Sequence, residues 1–269
     1  TELIFTSGST ESNNMAILGL YDHAQRTGRK HFITTSIEHK SVLEAMKRLE
    51  TLGCEVDYVA PDSTGRISAE ALLALVKDTT LLVSVMHINS ETGIIQPVEE
   101  IGEALSKTHV YFHVDATQSF GKLNDVIRNM KYDMLSFTAH KFGGPQGVGG
   151  LVLRRKRYKL PPITSLFCGG QQERGIRPGT TPVALVAGMT TAAEIADSEC
   201  AEQQAKCVAI KEDLLKHLEG VRYTINGAPE HCISNTINIS FDGVDAESLF
   251  VALKAEYAFS NGSACNSSS

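Results

Sequence analysis

The stretch SFTAHKFGGPQGVGG, residues 136–150, joins an apolar run to a lysine and a group of glycines. The run reads as a strand that ends at Thr138, and His140 and Lys141 follow it directly. Five glycines then fall within eight residues, which allows tight turns or a close approach of the backbone to a ligand. A lysine in an arbitrary loop is usually a solvated surface residue. Here Thr138 and His140 add hydrogen-bonding groups beside it, so the stretch predicts a bound cofactor without identifying one.

On both sides of this stretch, short apolar runs alternate with helical stretches. This alternation predicts an α/β fold with a mostly parallel sheet flanked by helices, in which ligands bind at the carboxyl ends of the strands. From about residue 192 the pattern changes to one long helical stretch and then short strands, which predicts a smaller α+β domain. We therefore predict a large domain over residues 1–191 and a small domain over residues 192–269.

Composition excludes several classes of protein. The 269 residues are 42% hydrophobic and carry a net charge of −6, which argues against a nucleic-acid-binding surface. The sequence has no apolar run near the roughly 18 residues that a membrane helix needs. The six cysteines form neither a CxxC pair nor a zinc-binding pattern, and no metal site is predicted. Reduced thiols indicate the cytoplasm, or an organelle matrix of similar redox state.

A second polar stretch, TSGSTESNN at residues 6–14, follows another strand-like run. A helix that begins near Ser9 and Thr10 would present unpaired N–H groups and a positive dipole end to an anion such as phosphate. An ordinary helix N-cap has the same composition, so this stretch alone leaves both interpretations open. It matches neither a dinucleotide-binding glycine motif nor a P-loop.

The third polar stretch is HVDATQS, residues 113–119, where Asp115 ends an apolar strand. A carboxylate is costly at such a place unless it is paired, and a protonated pyridine nitrogen is one suitable partner. A helix-capping aspartate is an equally good interpretation of this segment by itself. Taken together, a phosphate site, a strand-end aspartate and a strand-end lysine form the set that pyridoxal 5′-phosphate (PLP) requires.

With these motifs the chain resembles the cysteine desulfurases of the NifS/IscS type, which are PLP enzymes of fold type I in the class V aminotransferase family. The resemblance covers nearly the whole chain. It rests on six motifs in the same order, which are FTSGSTESNN, EHKSVL, HVDATQSFGK, SFTAHKFGGPQGVG, GGQQERGIRPGT and SNGSAC.

The resemblance implies a role for each matched residue. Lys141 would form the Schiff base with PLP, His39 would stack on the pyridine ring and help to move protons, and Cys265 would be the nucleophile that receives sulfur. Asp115 would bind the ring nitrogen and Gln118 the ring oxygen. The phosphate would be held by Ser9, Thr10, Thr138 and His140, with Thr180 reaching the phosphate of the other subunit of a homodimer.

Two departures from the family pattern qualify this picture. The segment HINSETG has Asn89 followed by Ser90, where the family usually has two asparagines, and the second of these contacts the bound substrate. Serine is shorter, so we expect this substrate contact to be lost or mediated by water. The family also has segments before residue 1 and beyond residue 269, the latter with a carboxylate-binding arginine, and we expect little turnover from residues 1–269 alone.

The resemblance implies removal of sulfur from L-cysteine, giving L-alanine and a persulfide on Cys265. The sulfur would pass to an acceptor or scaffold protein for iron–sulfur cluster assembly or tRNA thiolation, without direct contact to nucleic acid or membrane. Two alternatives remain open at this point. One is a selenocysteine lyase with the same residues, and the other is a scaffold of this fold that lacks turnover.

Overall fold

A seven-stranded sheet forms the centre of the computed structural model, which describes residues 2–156 and 158–261. Its strands are β1 (Leu3–Thr6), β2 (His31–Thr35), β3 (Glu55–Val59), β4 (Thr80–Met86), β5 (Tyr111–Asp115), β6 (Met134–Thr138) and β7 (Gly149–Leu153). They lie in the order β1-β7-β6-β5-β4-β2-β3. In this described sheet β7 runs antiparallel to both of its neighbours, β1 and β6, and the remaining neighbouring strands pair in parallel. The mostly parallel α/β sheet expected of a fold-type-I PLP enzyme is therefore confirmed.

Helices cover both faces of this sheet. The helices of the described residues are α1 (Ser9–Leu18), α2 (Tyr21–Thr27), α3 (Lys40–Thr51), α4 (Ala69–Ala74), α5 (Val98–Ser106), α6 (Asn124–Asn129), α7 (Val183–Ser198), α8 (Cys200–His217) and α9 (Ala246–Leu253), and those that pack on the sheet include α1 and α3 on one face and α4 and α5 on the other. Short 3₁₀ turns span Ala139–Phe142, Gln172–Gly175 and Pro229–His231. A separate antiparallel pair, β8 (Tyr223–Ile225) and β9 (Ile239–Phe241), lies between α8 and α9 in the chain.

The core lies on the two faces of the sheet because side chains alternate along each strand. In β4, Leu82 packs with α1 and α3, and Val83 packs on the opposite face with α4 and α5. In β6, Met134 and Leu135 divide in the same way. Each fully buried aliphatic side chain contributes about 1.5–3 kcal/mol. This two-sided burial fixes the register of the strands and thus the positions of the residues at their ends.

The predicted long helix near residue 192 is wrong in its boundaries. Helix α7 begins at Val183, directly after Pro182, and ends at Ser198; α8 then begins at Cys200, with Glu199 between them. Proline is favoured at a helix start because it has no N–H to leave unpaired, and this signal was missed. The predicted boundary at residues 191–192 falls inside α7, and the division into two domains stays a prediction. In the described part of the chain, no helix is long and apolar enough to cross a membrane.

Candidate active site

The carboxyl ends of four strands meet at one edge of the sheet. In the ladder, Gly149 pairs with both Thr6 of β1 and Thr138 of β6, while Met86 of β4 pairs with Asp115 of β5. Each of these positions ends or begins a strand at the same edge, where α/β folds bind ligands. The three polar stretches singled out in the sequence therefore converge in space.

A cavity of about 700 Å³ opens at this edge. Its volume lies within the range of small-molecule sites in proteins. Most of the predicted site residues line it, and these are Ser9, Thr10, His39, Ser90, Asp115, Gln118, Thr138, His140 and Lys141.

The first turn of α1 forms one end of the cavity. Gly8, directly before it, has φ 150° and ψ −179°, a conformation that favours glycine, and a Cβ there would lie 3.3 Å from Thr138 Oγ1. The first N–H groups of the helix have no intrahelical acceptor, and the helix dipole favours negative charge beside them. The hydroxyls of Ser9 and Thr10 lie in the same turn. This end of the cavity is suited to an anion.

Asp115 reaches the cavity from the end of β5, with only 5% of its surface exposed. Its Oδ1 accepts hydrogen bonds from the backbone N–H of Thr117 at 2.9 Å and from the Thr117 hydroxyl. Its Oδ2 accepts from Nδ2 of Asn13 at 2.8 Å. All three partners are donors, which suits an acceptor-only carboxylate facing a cationic ligand group.

His39 caps the N-terminus of α3. Its Nδ1 accepts a hydrogen bond from the backbone N–H of Ser41 at 3.1 Å and lies 2.8 Å from the Ser41 hydroxyl. Histidine thus replaces the Ser, Asp or Asn that usually caps a helix. The cap ties the ring to the helix backbone and holds it against the cavity.

Lys141 lies in the one-turn 3₁₀ helix Ala139–Phe142, and its side chain is exposed to the cavity. The turn ends at Gly143, whose φ of 87° favours glycine, and the backbone then returns to β7. The pKa of the neighbouring His140 is lowered by partial burial and by the positive charge of Lys141. The imidazole of His140 and the side chain of Lys141 therefore lie side by side at the strand end.

Gln118 lines the cavity beyond Asp115, and Nζ of Lys122 lies 3.5 Å from its Oε1. Burial lowers the pKa of Lys122, and the charge of Lys141 lowers it further. Because this ammonium group faces the carbonyl end of the Gln118 amide, it favours the rotamer with the amide NH₂ turned the other way.

Glu38 is a buried acid next to the site that sequence reasoning missed. Its Oε1 accepts hydrogen bonds from the backbone N–H of Met86 at 2.8 Å and from the Thr35 hydroxyl at 2.7 Å. Its Oε2 is buried and has no hydrogen-bond partner. Burial raises the pKa of Glu38 to about 8, so the carboxyl group is mainly protonated at neutral pH. This acid links the end of β2 to the end of β4.

Three further supporting residues were also missed, although they lie in the motifs quoted above. They are Asn13, Ser41 and Thr117, whose side chains contact Asp115 or His39. A sequence signal existed for Asn13, since helical spacing places it on the same face as the apolar Ile17. A polar residue on an apolar helix face needs a partner.

Two predicted residues that the structure describes, Asn89 and Thr180, do not line the cavity. The Oδ1 of Asn89 accepts hydrogen bonds from the backbone N–H groups of Glu91 and Thr92 at 2.9 and 3.0 Å. Thr180 is exposed. Cys265 lies outside the described residues.

Three groups capable of binding a metal, His31, Glu55 and Asp57, lie within 4.8 Å of one another at the opposite edge of the sheet. They already have partners, because Nε2 of His31 is 3.0 Å from Asp57 and Nζ of Lys77 is 2.6 Å from Glu55. This cluster is a network of ion pairs at the amino ends of β2 and β3.

This fold and strand-end cavity define a class of protein, and the sequence matches that class along its whole length. Residues 1–269 match the Aminotransferase class-V family, and the chain belongs to it. Enzymes of this family are PLP-dependent.

More particular similarities point in one direction. The chain is 45% identical to the cysteine desulfurase IscS of Serratia proteamaculans, covering 100% of this chain and 66% of the relative. It is 43% identical to the mitochondrial cysteine desulfurase of Saccharomyces cerevisiae, of which it covers 53%. Among solved structures, DndA from Streptomyces lividans superposes with a TM-score of 0.90 at 46% identity, over 94% of this chain and 72% of that one. The chain thus spans about two thirds of the length of the bacterial relative.

The residues present fit PLP. One cavity holds an anion-binding helix start, an acceptor carboxylate in Asp115 and a primary amine in Lys141. These are the three groups that a phosphate, a pyridinium nitrogen and an aldehyde require. The fit rests on the donors and acceptors of this chain and agrees with the family.

Proposed function

We propose that this protein is a PLP-dependent cysteine desulfurase. The proposal is supported above all by the convergence of Lys141, Asp115, His39 and Gln118 on one cavity with the first turn of α1. Ser260, five residues before Cys265 in the sequence, lines the same cavity. The relatives named cysteine desulfurase support the same activity.

Bound PLP supplies an electron sink that labilises the bonds at the substrate Cα. The Asp115 carboxylate would pair with the ring nitrogen of PLP and would favour the protonated form of that nitrogen. His39 covers one side of the site, excludes water and presents its imidazole to the reacting atoms. Lys141, whose side chain lines the same cavity, would hold the aldehyde of PLP and would serve as the base for the Cα proton of the substrate. Ser9, Thr10, Thr138 and His140 anchor the phosphate, and Gln118 binds the ring oxygen.

Cys265 is the proposed sulfur acceptor. Its thiolate would attack the sulfur of the substrate, forming a sulfur–sulfur bond as the carbon–sulfur bond breaks. The electron pair of the broken bond would remain with the substrate carbon Cβ, which takes up a proton to give the methyl group of alanine, so that Cβ is reduced as the two sulfurs are oxidised. The products are L-alanine and a persulfide on Cys265, and no external oxidant or reductant is consumed. Cys265 lies outside the described residues, so this assignment rests on the motif SNGSAC and on Ser260 at the cavity.

The wider setting is proposed on the resemblance. The enzyme acts as a homodimer in which Thr180 reaches the phosphate of the partner, and it passes sulfur to an acceptor or scaffold protein. Iron–sulfur cluster assembly and tRNA thiolation are the proposed destinations, in the cytoplasm or an organelle matrix. Asn89 and Ser90 are proposed to contact the substrate region, with Asn89 acting through the loop that it stabilises.

The test is turnover of L-cysteine by the full-length protein loaded with PLP, with alanine and persulfide as readouts. Cys265→Ala should abolish cysteine turnover but retain the visible absorbance of bound PLP, whereas Lys141→Ala should lose the Schiff-base absorbance. Selenocysteine as a competing substrate separates a desulfurase from a selenocysteine lyase. If neither L-cysteine nor selenocysteine yields alanine, the result would instead support a non-catalytic scaffold.

A further inference from the structure

Asn13 lies between two residues of the candidate site. It is fully buried in α1, and its Nδ2 is 2.8 Å from Oδ2 of Asp115 and 2.9 Å from Oγ of Ser41. An amide nitrogen carries two hydrogens and no acceptor site. Asn13 therefore donates one hydrogen to the carboxylate and the other to the serine hydroxyl, and the carboxylate fixes this orientation of the amide.

Ser41 continues the chain of hydrogen bonds. Since its oxygen accepts from Asn13, its single hydrogen is directed to Nδ1 of His39, 2.8 Å away. The backbone N–H of Ser41 donates to the same nitrogen at 3.1 Å. Nδ1 thus has two donors and acts as an acceptor. In the neutral ring the proton must then lie on Nε2.

We propose that Asn13 and Ser41 are positioning residues, forming a buried relay from Asp115 that fixes His39 in its Nε2–H tautomer. The relay couples Asp115, which is assigned to the pyridine nitrogen, with His39, which is assigned to the face of the pyridine ring. This consequence of the relay rests on the proposed function: a His39 ring in this tautomer would present an N–H donor at Nε2 to the substrate. The direction of every bond in the relay follows from the carboxylate at its end.

The tautomer is tested directly by nitrogen NMR of the full-length protein labelled in its histidines, without PLP, with His39→Gln assigning the signal. We expect Nδ1 of His39 to appear as an unprotonated, hydrogen-bonded nitrogen. Ser41→Ala and Asn13→Leu should each shift that signal, and the matched control Ser84→Ala should shift only His113, whose Nδ1 lies 2.8 Å from the Ser84 hydroxyl. A proton on Nδ1 of wild-type His39, or an Nδ1 signal unmoved in Ser41→Ala, would overturn the proposal.

A second measurement tests whether the two residues act as one unit. Each single variant should weaken PLP binding about tenfold, since a hydrogen bond to a charged or buried group is lost. The double variant should lose much less than the product of the two factors, because the relay is already broken by either change. Losses that simply multiply would show independent structural roles and refute the relay. Neither measurement depends on cysteine turnover, so both remain decisive if the proposed activity fails.

Discussion

Single side chains account for most of the proposed chemistry, and each is held by contacts that its neighbours in sequence provide. Asp115 is held by the backbone and hydroxyl of Thr117, two residues on, and His39 is held by Ser41, again two residues on. Both residues stand where a strand gives way to a turn or a helix. Their orientation is thus set locally, and α1 then joins them through Asn13.

Replacing Asp115 by asparagine removes a charge without changing shape. We expect PLP affinity to fall about 10- to 100-fold, because a hydrogen bond to a charged group contributes about 1.5–3 kcal/mol. Titration with PLP, followed by visible absorbance, measures the change. The matched control is Asp125→Asn, since the Asp125 side chain is 93% exposed and lies on α6. Equal affinity in both variants would remove Asp115 from the cofactor site.

Glu38 predicts a pH effect on stability. Its pKa in the folded protein is raised to about 8 from an ordinary value of 4.5. A raised pKa means that its contribution to the free energy of unfolding is complete below pH 4.5 and is lost as the pH rises to about 8. Glu38→Gln cannot ionise and should flatten this loss, by at most about 1.4 kcal/mol per pH unit. Urea unfolding of both proteins at pH 5 and pH 8 makes the comparison, and parallel losses would contradict a buried neutral acid.

Among the secondary-structure elements, β7 brings the two anchoring segments together. A Cβ on Gly149 would lie 2.5 Å from the Phe137 carbonyl oxygen and 2.7 Å from the Cα of Gly8. Both neighbours are backbone atoms of the strands and turn that surround the cavity. The glycines of residues 143–150 therefore serve two purposes, since Gly143 allows the turn after Lys141 and Gly149 allows close packing under α1.

Gly149→Ala should accordingly disturb both stability and PLP binding. Overpacking of this kind costs about 1–3 kcal/mol, and here it also displaces Gly8, which lies directly before the first turn of α1. Gly28→Ala serves as the control, because its φ is 73° but a Cβ there would meet no atom within 4 Å. It should cost roughly 1 kcal/mol through its backbone conformation and leave PLP affinity unchanged. Thermal unfolding and PLP titration of the two variants separate these outcomes.

The elements also show what could be predicted from the sequence. The strand ends at Thr6, Asp115 and Thr138 were predictable because each follows an apolar run that only a buried strand explains. The supporting contact from Asn13 to Asp115 was not, because it depends on how α1 lies across β5, 102 residues away in the chain. The end of α1 at Gly19 likewise depends on a distant contact, because a Cβ there would lie 2.5 Å from Ile163, which local sequence cannot reveal.

Across the molecule as a whole, polar groups are buried beneath the site as well as in it. His113 spans three strands, since its two ring nitrogens lie 2.8 Å from the hydroxyls of Ser84 in β4 and Ser136 in β6. His87 is also buried, and its Nδ1 has no hydrogen-bond partner. Burial lowers the pKa of each histidine to about 4. The sheet therefore depends on two imidazoles staying neutral.

Acid should destabilise the fold through these two residues. Because their pKa values are depressed in the folded protein, their contribution is complete above pH 6.5 and is lost as the pH falls towards 4. The free energy of unfolding should drop by at most about 1.4 kcal/mol per histidine for each pH unit in that range. His87→Gln should reduce the slope, whereas His217→Gln, on the exposed end of α8, should not. Denaturant unfolding at pH 7, 5.5 and 4.5 provides the measurement, and an unchanged slope in His87→Gln would contradict the assignment.

Because Gly149 pairs with β1 on one side and β6 on the other, the sheet sets the distance between the ends of these two strands. The first turn of α1 follows the end of β1, and Lys141 follows the end of β6. The single strand β7 lies between β1 and β6 in the sheet. Two inter-strand steps of about 4.8 Å each set the gap between these attachment points at about 10 Å. This distance is fixed by the main-chain hydrogen bonds that join β7 to β1 and to β6. Substitutions of side chains that line the cavity should therefore change the affinity for a ligand without changing the distance between these two attachment points, unlike an overpacking change within β7 such as Gly149→Ala.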